Sequence, residues 1–156
     1  MEIKNVRIDY RGIHGQVSVS WVSNLKINRI MVIDDKAVKN HMQKSMLKMA
    51  CPKNVKLSII STDRAKLRLN EPERYEGENI LILILQVETL KTLANKGITF
   101  PEVTFGNVSN RPNTSQVSKT VYLTDEEKEI VKNLQEQGTD FYYQMVYGDN
   151  KEEIKV

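Results

Sequence analysis

The sequence predicts a single α/β domain built around a largely parallel sheet, and three observations support this prediction. Short β-branched runs alternate with longer amphipathic segments along the chain, which is typical of repeated strand–helix units. Several runs are continuously apolar, as expected of strands that are covered by helices on both faces. The length of 156 residues suits one domain, and the sequence contains no internal repeat, low-complexity tract or linker.

The strands are predicted from the β-branched and apolar runs. They cover residues 3–8, 29–33, 56–60, 79–85, 102–105, 118–122 and 141–146. The longest apolar stretch, at 80–85, is too short to cross a bilayer.

Helix signals lie between these runs. Asp34 or Asp35 is predicted to cap a helix that ends near Met49. The apolar face of this helix consists of Val38, Met42, Met46 and Met49, and we expect its methionines to fill the core. The two aspartates could also bind Mg²⁺, but a helix cap with a favourable dipole interaction is the preferred interpretation.

The later helices have recognisable ends. A helix over 87–96 is expected to end at Gly97, and a short helix is expected at 65–70. Thr124 and Glu127 predict a capping box for a helix that runs to Gly138. The polar residues 148–156 are predicted to form a frayed tail, which leaves residues 1–147 as the domain.

Residues 16–25 are ambiguous from pattern alone. Val17, Val19 and Trp21 alternate as in a strand, whereas Val17, Trp21 and Leu25 repeat as in a helix. The two glycines before this segment indicate a loop that leads into a new element.

Composition limits the classes of function. The net charge is only +3, and the 23 basic and 20 acidic residues are interleaved, so no nucleic-acid-binding surface is predicted. The single Cys51 cannot form an internal disulfide, and we expect a packed, inert thiol in a cytoplasmic protein. Met1 leads into the first strand without the apolar core of a signal peptide. His14 and His41 lack a zinc-ligand spacing, and we predict neither a metal nor a cofactor.

One segment carries most of the chemical information, and it reads Arg7-Ile8-Asp9-Tyr10-Arg11-Gly12-Ile13-His14-Gly15-Gln16-Val17. It places a histidine between two glycines, directly after a predicted strand. Loops of this kind lie at the carboxyl edge of a parallel sheet, where ligands bind. Gly106-Asn107 ends another strand at this edge, where it either lines the cleft or forms a plain turn.

A phosphoryl group suits this segment chemically. An imidazole near neutral pH is an available nucleophile, and Arg11 supplies a permanently charged donor for phosphoryl oxygens. Asp9 could orient either the imidazole or Arg11. A histidine in a glycine-containing turn is, however, more often an ordinary loop residue, and the residue types alone leave both interpretations open.

The complete loop resembles the N-terminal active-site loop of IIB components of the mannose, fructose and sorbose phosphotransferase family. Trp21, four residues after Val17, is also similar to the family. Further similar segments follow in the family's order up to about Val146. These segments are Val32-Ile33-Asp34-Asp35, Leu47-Lys48-Met49-Ala50-Cys51-Pro52, Gly97-Ile98, Phe105-Gly106-Asn107 and the predicted strand Ser118–Leu123 followed by Thr124-Asp125-Glu126-Glu127.

The resemblance implies a helix from about Gly15 to Leu25 and a mainly parallel sheet with one antiparallel edge strand. It implies that His14 carries a phosphoryl group, that Arg11 helps to hold this group and that Asp9 belongs to the site. The phosphate-binding positions that it implies are Gly12, Ile13, Gly15 and Gln16.

The partners also follow from the resemblance. A phosphorylated IIA component would donate to His14, and His14 would pass the phosphoryl group to a sugar at the membrane IIC–IID complex, beside which the protein would work. Gly12 stands where the family usually has a bulky aliphatic residue. This departure gives weight to a second hypothesis, a regulatory or binding domain that keeps the fold without transferring phosphate.

Overall fold

Strands and helices alternate in the computed structural model, which describes residues 1–15 and 17–156. The strands are β1 (Glu2–Ile8), β2 (Arg29–Ile33), β3 (Lys56–Ile60), β4 (Asn79–Ile84), β5 (Glu102–Phe105), β6 (Thr114–Ser118), β7 (Val121–Thr124), β8 (Asp140–Tyr143) and β9 (Glu152–Glu153). The helices are α1 (Gly15–Asn24), α2 (His41–Ala50), α3 (Thr62–Leu69), α4 (Val87–Asn95) and α5 (Asp125–Glu136), with 3₁₀ segments at Ala37–Lys39 and Pro72–Tyr75.

The main sheet has the order β3-β2-β4-β1-β5-β8-β9. Its pairs are parallel from β3 through β8, and β9 is antiparallel to β8 at the edge. The predicted α/β fold, with a mainly parallel sheet flanked by helices and an antiparallel edge strand, is therefore confirmed. β6 and β7 form a separate antiparallel hairpin.

Two hydrophobic clusters hold the helices against the sheet. The first joins alternate residues of the central strands to Ala65 of α3, Leu90 of α4 and Val131 of α5. The second joins the opposite residues of β2 and β4 to Leu47 of α2 and to Ile13, just before α1. The helices therefore cover both faces of the sheet, which explains the continuous apolar runs of strands such as β4.

Several local predictions are confirmed. Residues 15–24 form helix α1, which resolves the ambiguous segment. Gly97 follows the end of α4 with a φ of 85°, and its position after the helix is that of a left-handed C-terminal cap. The capping box of α5 is present, since Thr124 and Glu127 each accept a hydrogen bond from the other's backbone N–H.

The predicted strand at 118–122 is wrong. Ser118 ends β6 and pairs directly with Val121, the first residue of β7, so that the chain reverses at Lys119 and Thr120. The polar and β-branched residues on both sides of this reversal read as one strand because neither turn residue is a glycine, proline or asparagine.

The helix predicted from Asp34 to Met49 is two elements. Asn40 has extended dihedral angles and separates the 3₁₀ segment from α2, and its side chain caps α2 by accepting the N–H of Gln43. The expectation that the methionines fill the core is also wrong. Met42, Met46 and Met49 are exposed, and Leu47 is the only buried residue of α2.

The expectation of a frayed tail at 148–156 is wrong for residues 152–154. Glu152 and Glu153 pair with β8, and the N–H of Ile154 donates to the carbonyl oxygen of Phe141 at 2.8 Å. The Ile154 side chain is 1% exposed and belongs to the first hydrophobic cluster. A single apolar residue among charged neighbours therefore holds the chain end to the domain.

Replacing Ile154 should therefore destabilise the whole domain. We expect Ile154→Ala to lower the free energy of unfolding by about 2 kcal/mol or more, because it removes a buried side chain and leaves a cavity. The matched control Val156→Ala, at a residue that is 40% exposed, should change it by less than about 0.5 kcal/mol. Urea unfolding of the two variants would measure both values, and equal effects would contradict the assigned packing.

Candidate functional site

The candidate site lies where β1 ends between its two neighbours. Ile8, the last residue of β1, pairs with Ile84 of β4 and with Phe105 of β5, so the three strands end at one level. The N–H of Asp9 then donates to the carbonyl oxygen of Ile84 at 3.0 Å, and that of Gly106 donates to Ile8 at 2.8 Å. The loop of residues 9–14 therefore begins at the carboxyl edge of the sheet, where parallel sheets bind ligands.

Asp9 and Arg11 form a two-pronged ion pair in this loop. The Asp9 carboxylate is 2% exposed, and its Oδ1 accepts the Arg11 backbone N–H at 3.0 Å and Nε at 3.1 Å. Its Oδ2 accepts Nη2 at 3.0 Å. Among the described residues, Nη1 of Arg11 has no hydrogen-bond partner, and the side chain is 29% exposed. The pair therefore fixes one edge of the guanidinium and leaves Nη1 available for an anion.

A second arginine lies buried behind this pair. Arg7 is 3% exposed, and its Nη1 and Nη2 donate to the carbonyl oxygens of Gln144 and Met145, both at 2.7 Å. Burial lowers the pKa of Arg7 to about 10, although the negative charge of Asp9 acts in the opposite direction. Arg7 therefore connects the end of β1 to a segment far along the chain.

Gly106 is closely packed against both charged groups. A Cβ atom at this position would lie 2.5 Å from Nη2 of Arg7 and 2.8 Å from Oδ2 of Asp9. No real side chain tolerates such distances, so only glycine fits here without a shift of the charged groups. The sequence left Gly106 as either a cleft residue or a turn residue, and the structure places it against the back of the Asp9 carboxylate.

The segment of residues 144–147 closes one side of the site. The Trp21 indole N–H donates to the Met145 carbonyl oxygen at 3.0 Å, and the Arg7 guanidinium lies 4.7 Å from the centre of the Trp21 ring. Tyr147 contacts Trp21 edge-on with a ring separation of 5.7 Å. Helix α1 and this C-terminal segment are therefore joined through one buried tryptophan.

His14 stands at the N-terminus of α1. It is the N-cap residue, with φ −126° and ψ 103°, and its side chain is exposed. Its backbone N–H donates to Oγ of Ser18 at 2.9 Å, and its carbonyl oxygen accepts the Ser18 N–H at 3.1 Å. Gly15 follows with a φ of 35° and has open space around its Cα. This geometry places an accessible imidazole beside the positive end of a ten-residue helix.

Gly12 and Ile13 shape the loop before this histidine. Gly12 has a φ of 82°, where glycine is favoured, and its N–H donates to the Asp9 carbonyl oxygen at 3.1 Å. A Cβ atom on Gly12 would lie 3.3 Å from a methyl carbon of Leu47. Ile13 is 6% exposed and belongs to the second hydrophobic cluster. Gly12 is therefore part of an ordered, tightly packed turn.

Tyr10 holds the loop from the other side. Its N–H donates to the Asn107 carbonyl oxygen at 2.9 Å, and its hydroxyl donates to the buried Glu127 carboxylate. The same hydroxyl accepts the N–H of Val87, the first residue of α4, at 3.0 Å. The guanidinium of Arg111 donates to Glu127 at 2.9 Å and lies 4.9 Å from the Tyr10 ring centre.

The titration behaviour of this cluster follows from its contacts. Burial raises the pKa of Tyr10 well above its usual value, and the hydrogen bond to Glu127 adds to the effect. Burial also acts to raise the pKa of Glu127. Hydrogen bonds from Arg111, the Thr124 backbone and Tyr10 outweigh it and hold the pKa below its usual value. Glu127 therefore stays charged in the fold, and Tyr10 stays protonated.

The structure thus brings together most of the predicted site residues. Asp9 and Arg11 are in direct contact, His14 lies at the mouth of the same loop, and Gly12, Ile13 and Gly15 form its turns. The prediction for Gln16 lies outside the described residues. The sequence did not assign Tyr10, Arg7 or Met145 to the site, and Glu127 was interpreted only as part of a helix cap.

The other candidate residues have structural partners. Asp34 is buried and accepts the backbone N–H groups of Lys36 and Ala37, so it caps the 3₁₀ segment. Asp35 accepts the N–H of Thr62, the first residue of α3, at 2.8 Å. Within the described part of the chain, no group of three or more histidine, cysteine, aspartate or glutamate side chains is placed to hold a metal ion.

Cys51 is half-buried, and its thiol lies 3.5 Å from the Val55 carbonyl oxygen. Burial raises the pKa of this thiol, which disfavours the reactive thiolate.

Comparison with known families shows which family the chain belongs to. A family model described as "PTS system sorbose subfamily IIB component" matches residues 3–156. The chain belongs to this family. It is a IIB component of the mannose-type phosphotransferase system, a group of proteins that act in sugar transport.

Individual relatives agree with this assignment. The chain is 27% identical to the "PTS system fructose-specific EIIB component" of Bacillus subtilis, covering 99% of this chain and 94% of the relative. It is also 27% identical to the "PTS system mannose-specific EIIAB component" of Escherichia coli, covering 97% of this chain but only 46% of that longer protein. A solved structure of the IIBSor domain of the sorbose permease from Klebsiella pneumoniae has a TM-score of 0.88 at 25% identity, covering 97% of this chain and 92% of that one.

One further observation concerns the membrane. None of the helices in residues 1–15 and 17–156 combines the length and the apolar character that crossing a bilayer requires.

The Tyr10 cluster generates a prediction about the loop. We expect Tyr10→Phe to lower the free energy of unfolding by about 1–3 kcal/mol, because the Val87 N–H and the Glu127 carboxylate each lose a buried partner. Tyr142→Phe is the matched control, since the described residues contain no hydrogen bond to the Tyr142 hydroxyl. Thermal unfolding of both variants measures the difference, and equal stabilities would refute the role of the hydroxyl.

Proposed function

We propose that the protein carries a phosphoryl group on His14, accepting it from a phosphorylated IIA component and donating it to a sugar at a membrane IIC–IID complex. The observation that carries this proposal is the loop itself. It presents an exposed imidazole at a helix N-terminus, three residues after an arginine that a buried carboxylate holds in place and whose Nη1 has no hydrogen-bond partner among the described residues. In this proposal the protein is a cytoplasmic protein-histidine phosphotransferase that works beside its membrane partner.

The transfer needs little covalent chemistry from the protein. A lone pair on an imidazole nitrogen of His14 attacks the phosphorus atom as the bond between phosphorus and the donor breaks. The transition state then carries negative charge on the phosphoryl oxygens, and preorganised hydrogen-bond donors stabilise this charge best. Arg11 supplies a guanidinium fixed by Asp9, and the first turn of α1, which begins at Gly15, supplies backbone N–H groups of the kind that helix N-termini offer to anions.

The roles within the loop are distinct. His14 is the proposed nucleophile and Arg11 the proposed phosphoryl-binding side chain. Asp9 acts through Arg11, because its two oxygens are already occupied by Arg11 and its own charge would repel a phosphate. The loop positions Gly12, Ile13 and Gly15, and the sequence neighbour Gln16, are proposed to contribute backbone N–H groups. The Gly12 N–H already donates to Asp9, so its contribution requires a change of partner.

The partner proposal has support in the relatives. One relative is named as a mannose-specific EIIAB component, a name that joins IIA and IIB in one protein, and this chain matches 46% of its length. A IIA component is therefore the natural phosphoryl donor for a chain that corresponds to the IIB part. The relatives carry fructose, sorbose and mannose in their names, so the names point to no single sugar for this chain.

Two alternatives are less well supported. Cys51 would be the other conceivable carrier, but its thiol is half-buried and its pKa is raised. A regulatory domain that does not transfer phosphate was suggested by the unusual Gly12. The ordered turn at Gly12 and the intact Asp9–Arg11 pair give that hypothesis no structural support.

The test is a measurement of intact mass after incubation with phosphoenolpyruvate, the general phosphotransfer proteins and a cognate IIA. We expect the wild-type chain to gain one acid-labile phosphoryl group and His14→Ala to gain none. His41→Ala and Cys51→Ser are the matched controls, because they remove the other histidine and the only cysteine. Phosphorylation of His14→Ala, or its loss in either control, would overturn the assignment of the carrier residue.

A further inference from the structure

The exposed methionines of α2 form a surface that the proposed chemistry of His14 does not use. Met42, Met46 and Met49 have exposed fractions of 74%, 63% and 87%. Their spacing places them on one face of the helix, which we call the methionine face. Side chains of this size and exposure, side by side, form an apolar patch that soluble proteins usually reserve for an interaction.

The charged residues in the segment that contains this face all have one sign. Residues 36–62 contain six lysines and no arginine, aspartate or glutamate. Because the whole chain has a net charge of +3, the rest of the chain has a net charge of −3. Within the described residues, Lys56 of this group pairs with Glu78, whereas Lys36, Lys39, Lys44, Lys48 and Lys53 form no salt bridge.

Helix α2, which carries the methionine face on its exposed side, packs against the loop that carries His14. Leu47, the buried residue of α2, belongs to the same hydrophobic cluster as Ile13 of that loop. One of its methyl carbons also approaches the position of Gly12, at 3.3 Å from an ideal Cβ. Helix α2 is therefore packed directly against the loop, so a partner bound to α2 would lie close to the loop.

We propose that the methionine face and its lysines bind the anionic surface of a lipid bilayer, weakly and reversibly. Anionic lipids attract juxtamembrane lysines through a diffuse field that needs no fixed geometry, and flexible apolar side chains enter the boundary between headgroups and acyl chains. The absence of arginine from residues 36–62 favours this partner over an acidic protein, because protein interfaces are enriched in arginine and depleted of lysine.

The surface has a clear use if His14 donates to a sugar at a membrane transporter, and this part of the argument rests on the proposed function. Bilayer contact through α2 keeps the loop close to the membrane and restricts its orientation. Weak binding suits a carrier that must also meet its donor away from the membrane surface. The lipid contact itself does not depend on phosphorylation, so it can be tested without any phosphotransfer partner.

The first experiment is co-sedimentation of the unphosphorylated full chain with lipid vesicles. We expect the chain to bind vesicles that contain about one-third phosphatidylglycerol at least roughly tenfold more tightly than vesicles of pure phosphatidylcholine. Raising the salt concentration should weaken the binding, because salt screens the attraction. Failure to bind the anionic vesicles, or equal binding to both vesicle types, would overturn the proposal and leave the surface for a protein partner.

Matched variants then test which residues act. Lys44→Gln/Lys48→Gln should reduce binding to the anionic vesicles by roughly tenfold, since each lysine near the surface contributes to the attraction. The control Lys91→Gln/Lys132→Gln removes the same charge from exposed positions on α4 and α5, which pack on the other face of the sheet. An equal loss in the control would show a general charge effect and refute the assigned surface.

The contribution of the methionine side chains is tested with a separate control. The triple variant Met42→Gln/Met46→Gln/Met49→Gln should lose most of the binding that remains at high salt. Leu67→Gln, on the exposed side of α3, should lose none. The substituted methionines and Leu67 are largely exposed, so these variants should fold, and circular dichroism would verify this. Unchanged binding by the folded triple variant would contradict the proposal, while phosphorylation of His14 in the same variant reports separately on the proposed function.

Discussion

The buried carboxylate of Asp9 is the interaction on which the rest of the candidate site depends. A charged group with 2% exposure is stable only when its hydrogen-bonding capacity is filled. Here the Arg11 backbone and guanidinium fill it. Gly106 leaves the space behind the carboxylate that a side chain would otherwise occupy, and Arg7 brings a second positive charge to the same place. The turn after β1 is therefore determined by an electrostatic requirement, with apolar packing in support.

The loop is then held from both faces of the sheet. Ile13 enters the hydrophobic cluster under α1 and α2, whereas Tyr10 packs against the cluster on the side of α3, α4 and α5. The Tyr10 hydroxyl adds bonds to the starts of α4 and α5 through Val87 and Glu127. A loop anchored in two cores and an ion pair has few alternative conformations. That rigidity is what transfer of a phosphoryl group requires, because donors must already point at the charge when it develops.

The sequence predicted the sheet well because strands covered on both faces are long apolar runs. β2, β3 and β5 have the predicted bounds, and the capping signals of α4 and α5 are local features that need no tertiary information. The helical state of residues 15–24 followed only from the family resemblance, since the pattern fits a strand as well. The loop string predicted Asp9, Arg11 and His14 as neighbours because they are close in the chain.

Several of the failures have a common cause, which is that the observed structure depends on contacts between distant residues. Arg7 donates to the carbonyl oxygens of Gln144 and Met145, which are 137 and 138 positions further along the chain. No local sequence pattern predicts such a partner. Ile154 is one apolar residue in a charged segment, yet it enters the core. The methionines of α2 have the spacing of a core-facing stripe, but α2 meets the domain through Leu47 and leaves them in solvent. Periodicity identifies the apolar face of a helix, but it does not predict whether the core or the solvent covers that face.

The central claim is that Asp9 holds Arg11 ready to bind the phosphoryl group on His14. Single-turnover transfer from phosphorylated IIA to Arg11→Ala tests it most directly, with Arg64→Ala, an exposed arginine of α3, as the control. The account predicts that the transfer rate falls by roughly 100-fold in Arg11→Ala. Arg64→Ala should keep the wild-type rate. An unchanged rate in a folded Arg11→Ala protein would remove Arg11, and the carboxylate that orients it, from the mechanism.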